Sequence, residues 1–467
     1  MPRLIAYLRR YRDSRKHVRP WAIAVPILVL FICLPLLRPL RHPDNIADSE
    51  VARLATVQAM VERGTQALDF DLFKPERHVI EVGGAFYSSQ PPVFSALLAS
   101  AYWSMHRLGL TFERNPDLVS YLLTVLGTTL PAACIAGLVY RMGRLFELPR
   151  AWRTALGAVV VLGGVMSYAT ALNEHVPAAT LAMCAAACLI HIALIKRRMS
   201  AGVWLFLAGL CVALAATFDV TAALFVPLLA AFILALPWTI TTRLGSLALY
   251  VLGLLPPVLL HLLLTVPVTG DWRPGMFHPE LAAHHSADAP FATGDDWDDD
   301  LTDNGYASVL LVGLGRFTGT LVGDRGLISH FPVVLLGLIG VSMVMHRHWP
   351  TSTKALAGAS VLAAVTIVIL LTLGRPSSVG SYASPSFIAF MPMLTFWVGA
   401  WLRRPHRPLA WTAASILFAF SLIATLIGAT NPQPRDAYTG YTVADAFDRL
   451  VTGHLPAPSD RFIATRP

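Results

Sequence analysis

Long apolar stretches recur along this chain, separated by short polar connections. They lie at 21–38, 118–140, 153–171, 177–195, 202–218, 221–240, 246–266, 329–345, 355–373, 386–402 and 409–428. A helix needs about 20 residues to cross a bilayer core, somewhat fewer with snorkelling ends. The pattern therefore predicts an all-α polytopic membrane protein with about 11 transmembrane helices. Two further stretches are ambiguous. Val93–Met105 is short and carries Ser95, Ser100 and Ser104, and Ala307–Val322 is interrupted by three glycines and Arg316.

The polar segments have patterns of their own. Within Glu50–Arg63, Val51, Leu54, Val57 and Val61 recur at helical spacing, which predicts an amphipathic helix with Gly64 as its C-terminal stop. Val79–Tyr87, with Gly83-Gly84 inside it, predicts a hairpin or tight turn. Pro91-Pro92 then opens a short helix.

Composition agrees with this pattern. The 467 residues are 55% hydrophobic and 14% charged, against roughly 25% charged in a soluble domain. Mean hydropathy is +0.58. An ordinary soluble enzyme and a disordered chain are both excluded. Cys33, Cys134, Cys184, Cys188 and Cys211 all fall in apolar runs, so they are expected to be buried small hydrophobes, without a disulfide framework or zinc site. No cleavage signal follows the first apolar run, so it is expected to be an uncleaved first span.

Charge sets the orientation. With the N-terminus cytoplasmic and both ambiguous stretches placed on the outer side, the cytoplasmic segments hold 20 bases and 2 acids. The remainder holds 16 bases and 26 acids. This is a strong positive-inside bias. It makes the net charge of +8 an orientation signal rather than a sign of a nucleic-acid partner. Four regions follow: a basic cytoplasmic tail at 1–20, a membrane module at 21–243 with an external loop at 39–117, a second membrane module at 244–428 with an external loop at 267–328, and an external tail at 429–467. The expected location is the plasma (inner) membrane, with the C-terminus external or periplasmic.

Several polar groups could carry chemistry on the outer side. Asp44-Asn-Ile-Ala-Asp48-Ser49-Glu50 follows the first run. A carboxylate there can take the proton of an attacking hydroxyl, or Asp48 or Ser49 can simply cap the next helix. Asn173-Glu174-His175-Val-Pro177 pairs an acid with an imidazole, suited to a divalent metal or to orienting a phosphate; the alternative is a polar turn opening a helix at Pro177. Arg316, Arg325 and Arg375 are forked, permanent cations suited to a lipid phosphate or to headgroups. Asp219 ends an apolar run, with a buried-ion role and a cap both open. The acidic run Asp295–Asp300 lacks the glycine and terminal glutamate of a calcium loop and predicts a solvated segment. No Walker, dinucleotide or His-rich metal motif is present, nor an inverted repeat with matched broken helices.

The motif order resembles the GT-C glycosyltransferase superfamily, and within it the branch of bacterial protein mannosyltransferases and lipid A aminoarabinose transferases. The resemblance rests on Asp48-Ser-Glu-Val-Ala-Arg53, Ala59-Met-Val-Glu-Arg-Gly64, Tyr87-Ser-Ser-Gln-Pro-Pro92, Asn173-Glu174-His175 and Gly323–Pro332. It is strongest over about residues 20–240. It departs where Ser49 separates Asp48 from Glu50, and where Gln90 stands in place of a lysine found in several relatives.

The resemblance implies a GT-C-like fold with outer juxtamembrane helices in the first external loop. It implies an inverting sugar transferase fed by a polyprenyl-phosphate sugar donor, acting on an unspecified lipid, glycan or protein acceptor. Asp48, Glu50 and Asp44 are its catalytic candidates. Arg53, Tyr87, Gln90, Arg325 and Arg375 would bind substrate or phosphate, and Glu174 with His175 could hold a divalent metal. Partners are the donor lipid and the bilayer, with no nucleic acid. A transporter or a non-catalytic scaffold on the same fold is the rival reading.

Overall fold

The computed structural model describes residues 48–75, 78–194, 201–281, 313–323, 325–373 and 383–430, with residues 26, 27 and 30. Helices dominate because a lipid-facing backbone must satisfy its own polar groups. In chain order they are α1 (Asp48–Gln58), α2 (Pro92–Arg107), α3 (Pro116–Phe146), α4 (Arg150–Leu162), α5 (His175–Leu194), α6 (Ala201–Phe218), α7 (Phe225–Leu234) and α8 (Ile240–Thr269). They continue with α9 (Val334–Met345), α10 (Thr351–Leu373), α11 (Met391–Leu402) and α12 (Pro408–Thr430).

Among the described residues, six helices are long and apolar enough to cross a membrane, namely α3, α5, α6, α8, α10 and α12. A seventh span arises if Gly313–His330 and α9, which meet at 88°, are counted together. The other apolar runs are built from shorter pieces. The run at 153–171 is α4 followed by a 3-10 turn at Val165–Tyr168, and the run at 221–240 combines a 3-10 turn at Val220–Leu224 with α7. The first run, 21–38, lies almost entirely outside the described residues.

Helices cross closely where glycines remove side-chain bulk. A Cβ on Gly209 of α6 would stand 2.0 Å from the Tyr250 carbonyl of α8, and one on Gly253 of α8 would stand 2.2 Å from the Phe206 carbonyl of α6. Small residues allow this backbone approach, which drives helix association in lipid.

The loop expected at 39–117 has the predicted parts among its described residues. α1 continues into a π-helical turn, Ala59–Arg63, and stops at Gly64 with φ +67°. β1 (Val79–Val82) and β2 (Ala85–Ser88) pair antiparallel, Val79 opposite Ser88. Gly83 and Gly84 take φ +60° and +79° at the turn, a conformation that suits glycine. α2 opens at Pro92. The Tyr102 hydroxyl donates to Glu62 and accepts from the Phe112 amide, fastening α2 to the end of α1.

One expectation about α1 changes. Residues 50–57 are all buried, including Glu50, Arg53 and Thr56. The helix is not half-solvated. Its polar face points into the protein because other segments pair with it.

At one end Arg403 donates to Glu147 at 2.6 Å and lies over Trp349, bringing three predicted cytoplasmic segments together. α4 leads from that end to Tyr168–Asn173 at the other.

Candidate active site

The turn at 168–174 is built by its own polar side chains. The Asn173 amide donates to the carbonyls of Tyr168 (2.7 Å) and Ala171 (2.8 Å), and its Oδ1 accepts from the Val176 amide (3.0 Å). It thus folds the turn and caps the start of α5 together. A π-helical stretch in α3, Val125–Thr129, presents two threonines to the same turn. Thr129 donates to the Ala169 carbonyl at 2.8 Å. The Tyr168 hydroxyl donates to the Ala383 carbonyl at 2.6 Å, and Thr170 to the Ala429 carbonyl at 2.6 Å.

Onto this turn α1 docks by two side chains one helical turn apart. Glu50 Oε1 accepts from the Leu172 amide at 2.6 Å. Arg53 Nη2 donates to Glu174 Oε2 at 2.6 Å. The Arg53 guanidinium is fully buried and stands 4.8 Å over the Phe94 ring, which supports a cation through its π-face. Next along the chain, His175 Nδ1 lies 2.7 Å from Asp219 Oδ2, while its Nε2 is 4.0 Å from Glu174 Oε1. Asp219 Oδ1 accepts from the Thr221 amide (2.9 Å) and hydroxyl (2.7 Å). Asp219 therefore serves as both cap and ion partner, the two roles its position left open.

The result is a row of charges, Arg53, Glu174, His175 and Asp219, that joins α1, the start of α5 and the end of α6. Burial acts to raise the Glu174 pKa, but Arg53 and then His175 more than offset it, leaving the carboxyl below its usual range. Asp219 behaves alike: burial raises it, and His175 and Thr221 bring it below the ordinary value. Burial pulls Arg53 below its usual value against the opposing pull of Glu174, although guanidinium stays charged in proteins.

One coordinating atom of each metal candidate is already engaged, while Glu174 Oε1 and His175 Nε2 stand 4.0 Å apart. Glu174 Oε2 is taken by Arg53 and His175 Nδ1 by Asp219. Among the described residues no group of three His, Cys, Asp or Glu side chains is arranged to hold a metal ion.

A second feature lies one turn farther along α1. Thr56, Gln66, Ile80, Tyr87, Ser88, Gln90, Pro92 and Ser95 meet Leu264, Thr265, Val268, Thr269 and Gly275 around a small cavity that is partly open to solvent. Tyr87 and Gln90 thus share one cavity, while Arg53 belongs to the ion-paired row. Asp48 is the first residue of α1, but its side chain lies outside the described residues, as do Asp44 and Arg375. Arg325 is half-buried in the turn that precedes the bend into α9.

Compared with solved structures, the chain is similar to the Archaeoglobus fulgidus oligosaccharyltransferase in its apo form. The TM-score is 0.54 at 11% identity, over 94% of this chain and 60% of that one. It is also similar to the same organism's oligosaccharyltransferase AglB in complex with an inhibitory peptide and a dolichol-phosphate (TM-score 0.50, 13% identity, 97% and 60% covered). The fold is the GT-C fold. ArnT from Cupriavidus metallidurans bound to undecaprenyl phosphate matches with a TM-score of 0.46 at 15% identity, over 85% of this chain and 61% of that one. The chain spans about three-fifths of the length of these structures. No family model and no curated protein matches the sequence.

The main group that sequence reasoning missed is the partnership of Asp219 with His175, 44 residues apart. The available signal was an acid directly after an apolar run with threonine two residues on. That is a capping signature, and it names no distant partner.

Proposed function

We propose that this protein is an inverting membrane glycosyltransferase. It moves a sugar from a polyprenyl-phosphate-linked donor to a lipid, glycan or protein acceptor at the outer face of the plasma membrane. The observation that carries this reading is the docking of α1 in a GT-C fold. Glu50 and Arg53 pin the helix to the turn at 172–174, and α1 begins at Asp48. Fixing a catalytic group on a rigid, doubly anchored helix lowers the entropy cost of reaching the reactive geometry. One of the similar structures contains a dolichol-phosphate, which supports a polyprenyl-phosphate lipid as the donor carrier.

In this mechanism Asp48 accepts the proton of the acceptor hydroxyl as its oxygen bonds to the anomeric carbon. The bond from that carbon to the phosphate oxygen breaks on the opposite face, and polyprenyl phosphate leaves with the electron pair. The sugar arrives activated, so no covalent enzyme intermediate is needed. Glu50 is buried and committed to the Leu172 amide, which favours Asp48 over Glu50 as the base. Arg325 and Arg375 are the cations assigned to the leaving phosphate. A preformed charge in a low-dielectric cleft acts more strongly than it would in water.

The Asp48→Asn variant tests the assignment. It should insert and fold like the wild type while transfer falls by at least about 100-fold, the scale of a lost general base. Activity near the wild-type level would remove Asp48 from the mechanism.

A further inference from the structure

We infer that the basic corner where α3 ends and α4 begins binds the phosphate of an anionic lipid headgroup. It lies at the far end of α4 from the turn at 168–174 and is independent of sugar transfer. Arg153, in the first turn of α4, is its centre. The Arg153 side chain lies across Gly143, where an added Cβ would stand 3.1 Å from its Cγ, and carries the guanidinium to 4.9 Å over the Tyr140 ring. Only 5% of Arg153 is exposed, and Tyr140 is fully buried. Among the described residues, Arg153 Nε and Nη1 and the Tyr140 hydroxyl meet no hydrogen-bond partner. A buried cation without an acid is costly. The tyrosine face offsets part of that cost but gives the guanidinium no oxygen to bond.

A phosphate relieves these groups together. Its oxygens accept from a forked guanidinium and from a phenol, and its charge answers the cation. The surroundings add positive charge rather than cancel it. Arg144 and Arg150 both repel the charge on Arg153, and Glu147, the acid of the connecting turn, is committed to Arg403 at 2.6 Å. α4 opens after Pro149 with no side chain capping its first amides, so the positive end of a 13-residue helix stands at the same corner. The neighbouring surface selects a lipid over a free anion. Trp152 is 38% exposed and its ring stands 5.3 Å from that of Trp411, which packs on Trp401, and His406 stacks on Trp401 at 4.2 Å. Leu409, at the start of α12, is 80% exposed. Tryptophans beside exposed apolar side chains mark the headgroup level of a bilayer, and basic pockets between helices at that level hold anionic headgroups.

Titration of the full-length protein in detergent tests the site, read by native mass spectrometry and by thermal unfolding. The probes are phosphatidylglycerol, phosphatidylcholine and inorganic phosphate. The wild type should hold its tightest phosphatidylglycerol at least about tenfold more strongly than phosphatidylcholine, the scale of one hydrogen bond to a charged group. Arg153→Met removes the guanidinium and keeps an apolar stem. It should weaken phosphatidylglycerol by about tenfold, leave phosphatidylcholine within about twofold, and abolish the rise in melting temperature that phosphatidylglycerol gives the wild type. Arg404→Met removes an exposed cation at the same end and should leave phosphatidylglycerol within about twofold. Equal losses in the two variants would mean diffuse attraction and overturn the inference, as would a wild type that does not distinguish the two lipids. Inorganic phosphate that displaces phosphatidylglycerol and raises the melting temperature as far would assign the corner to a free anion and overturn the lipid assignment. If Arg153→Met does not fold, Arg153→Gln decides by the same comparison.

Discussion

Removing one partner of the Arg53–Glu174 pair should harm the protein more than removing both. Glu174→Gln leaves a fully buried guanidinium facing a neutral amide, and the loss is expected at about 3–5 kcal/mol. Arg53→Met combined with Glu174→Leu should recover most of it, because two apolar side chains need no countercharge. Thermal unfolding of the wild type and the two variants in detergent checks this, and equal destabilisation of the single and the double variant would contradict it. The same residues set an acid limit. The folded pKa values of Glu174 and Asp219 are depressed, so their contribution is complete above the ordinary carboxylate range and is lost as pH falls through the lower folded values. The melting temperature should hold from about pH 7 to 5 and fall below about pH 4, more steeply in the wild type than in the double variant. The sequence announced the Glu174-His175 pair and the Asp48–Arg53 motif. It could not announce that they meet, because Arg53 and Glu174 lie 121 residues apart and ion pairing has no periodicity.

At the scale of elements, periodicity located what local physics controls. The hairpin, the Gly64 stop and the Pro92 start are where the sequence predicts them, because each depends on a few adjacent residues. The apolar runs were less legible as single spans. Hydropathy counts apolar residues whether or not the helix is continuous, and the breaks at Gly163-Gly164 and after Asp219 interrupt two of them. α1 misled for a related reason. Its spacing is amphipathic, but its polar face meets Leu172 and Glu174 rather than water. The crossing of α6 and α8 gives a test at this scale. Gly253→Ala should lower the melting temperature clearly, since its Cβ would strike the Phe206 carbonyl. Gly245→Ala, in the same helix with open space around it, should leave stability equal or higher by up to about 1 kcal/mol. Equal responses would contradict tight packing at the crossing.

At the scale of the whole molecule, the charge bias carries the proposed orientation. In it the Arg403–Glu147 end is cytoplasmic, and the turn at 168–174 with the cavity is outside. A thiol introduced at His348 should be labelled by a membrane-impermeant reagent only after the cells are opened, and one at Trp272 in intact spheroplasts. The reverse result would invert the topology and remove the site from the outer face. The similarity to oligosaccharyltransferase structures is a likeness of fold, and a fold hosts many chemistries. Turnover is therefore the direct test. Purified protein in lipid, given a panel of polyprenyl-phosphate hexoses and pentoses with membrane-extract acceptors, should release bare polyprenyl phosphate from at least one donor and place its sugar on an acceptor with inverted anomeric configuration. Binding of the donors with no release from any of them would contradict the glycosyltransferase account and favour a transporter or scaffold on the same fold.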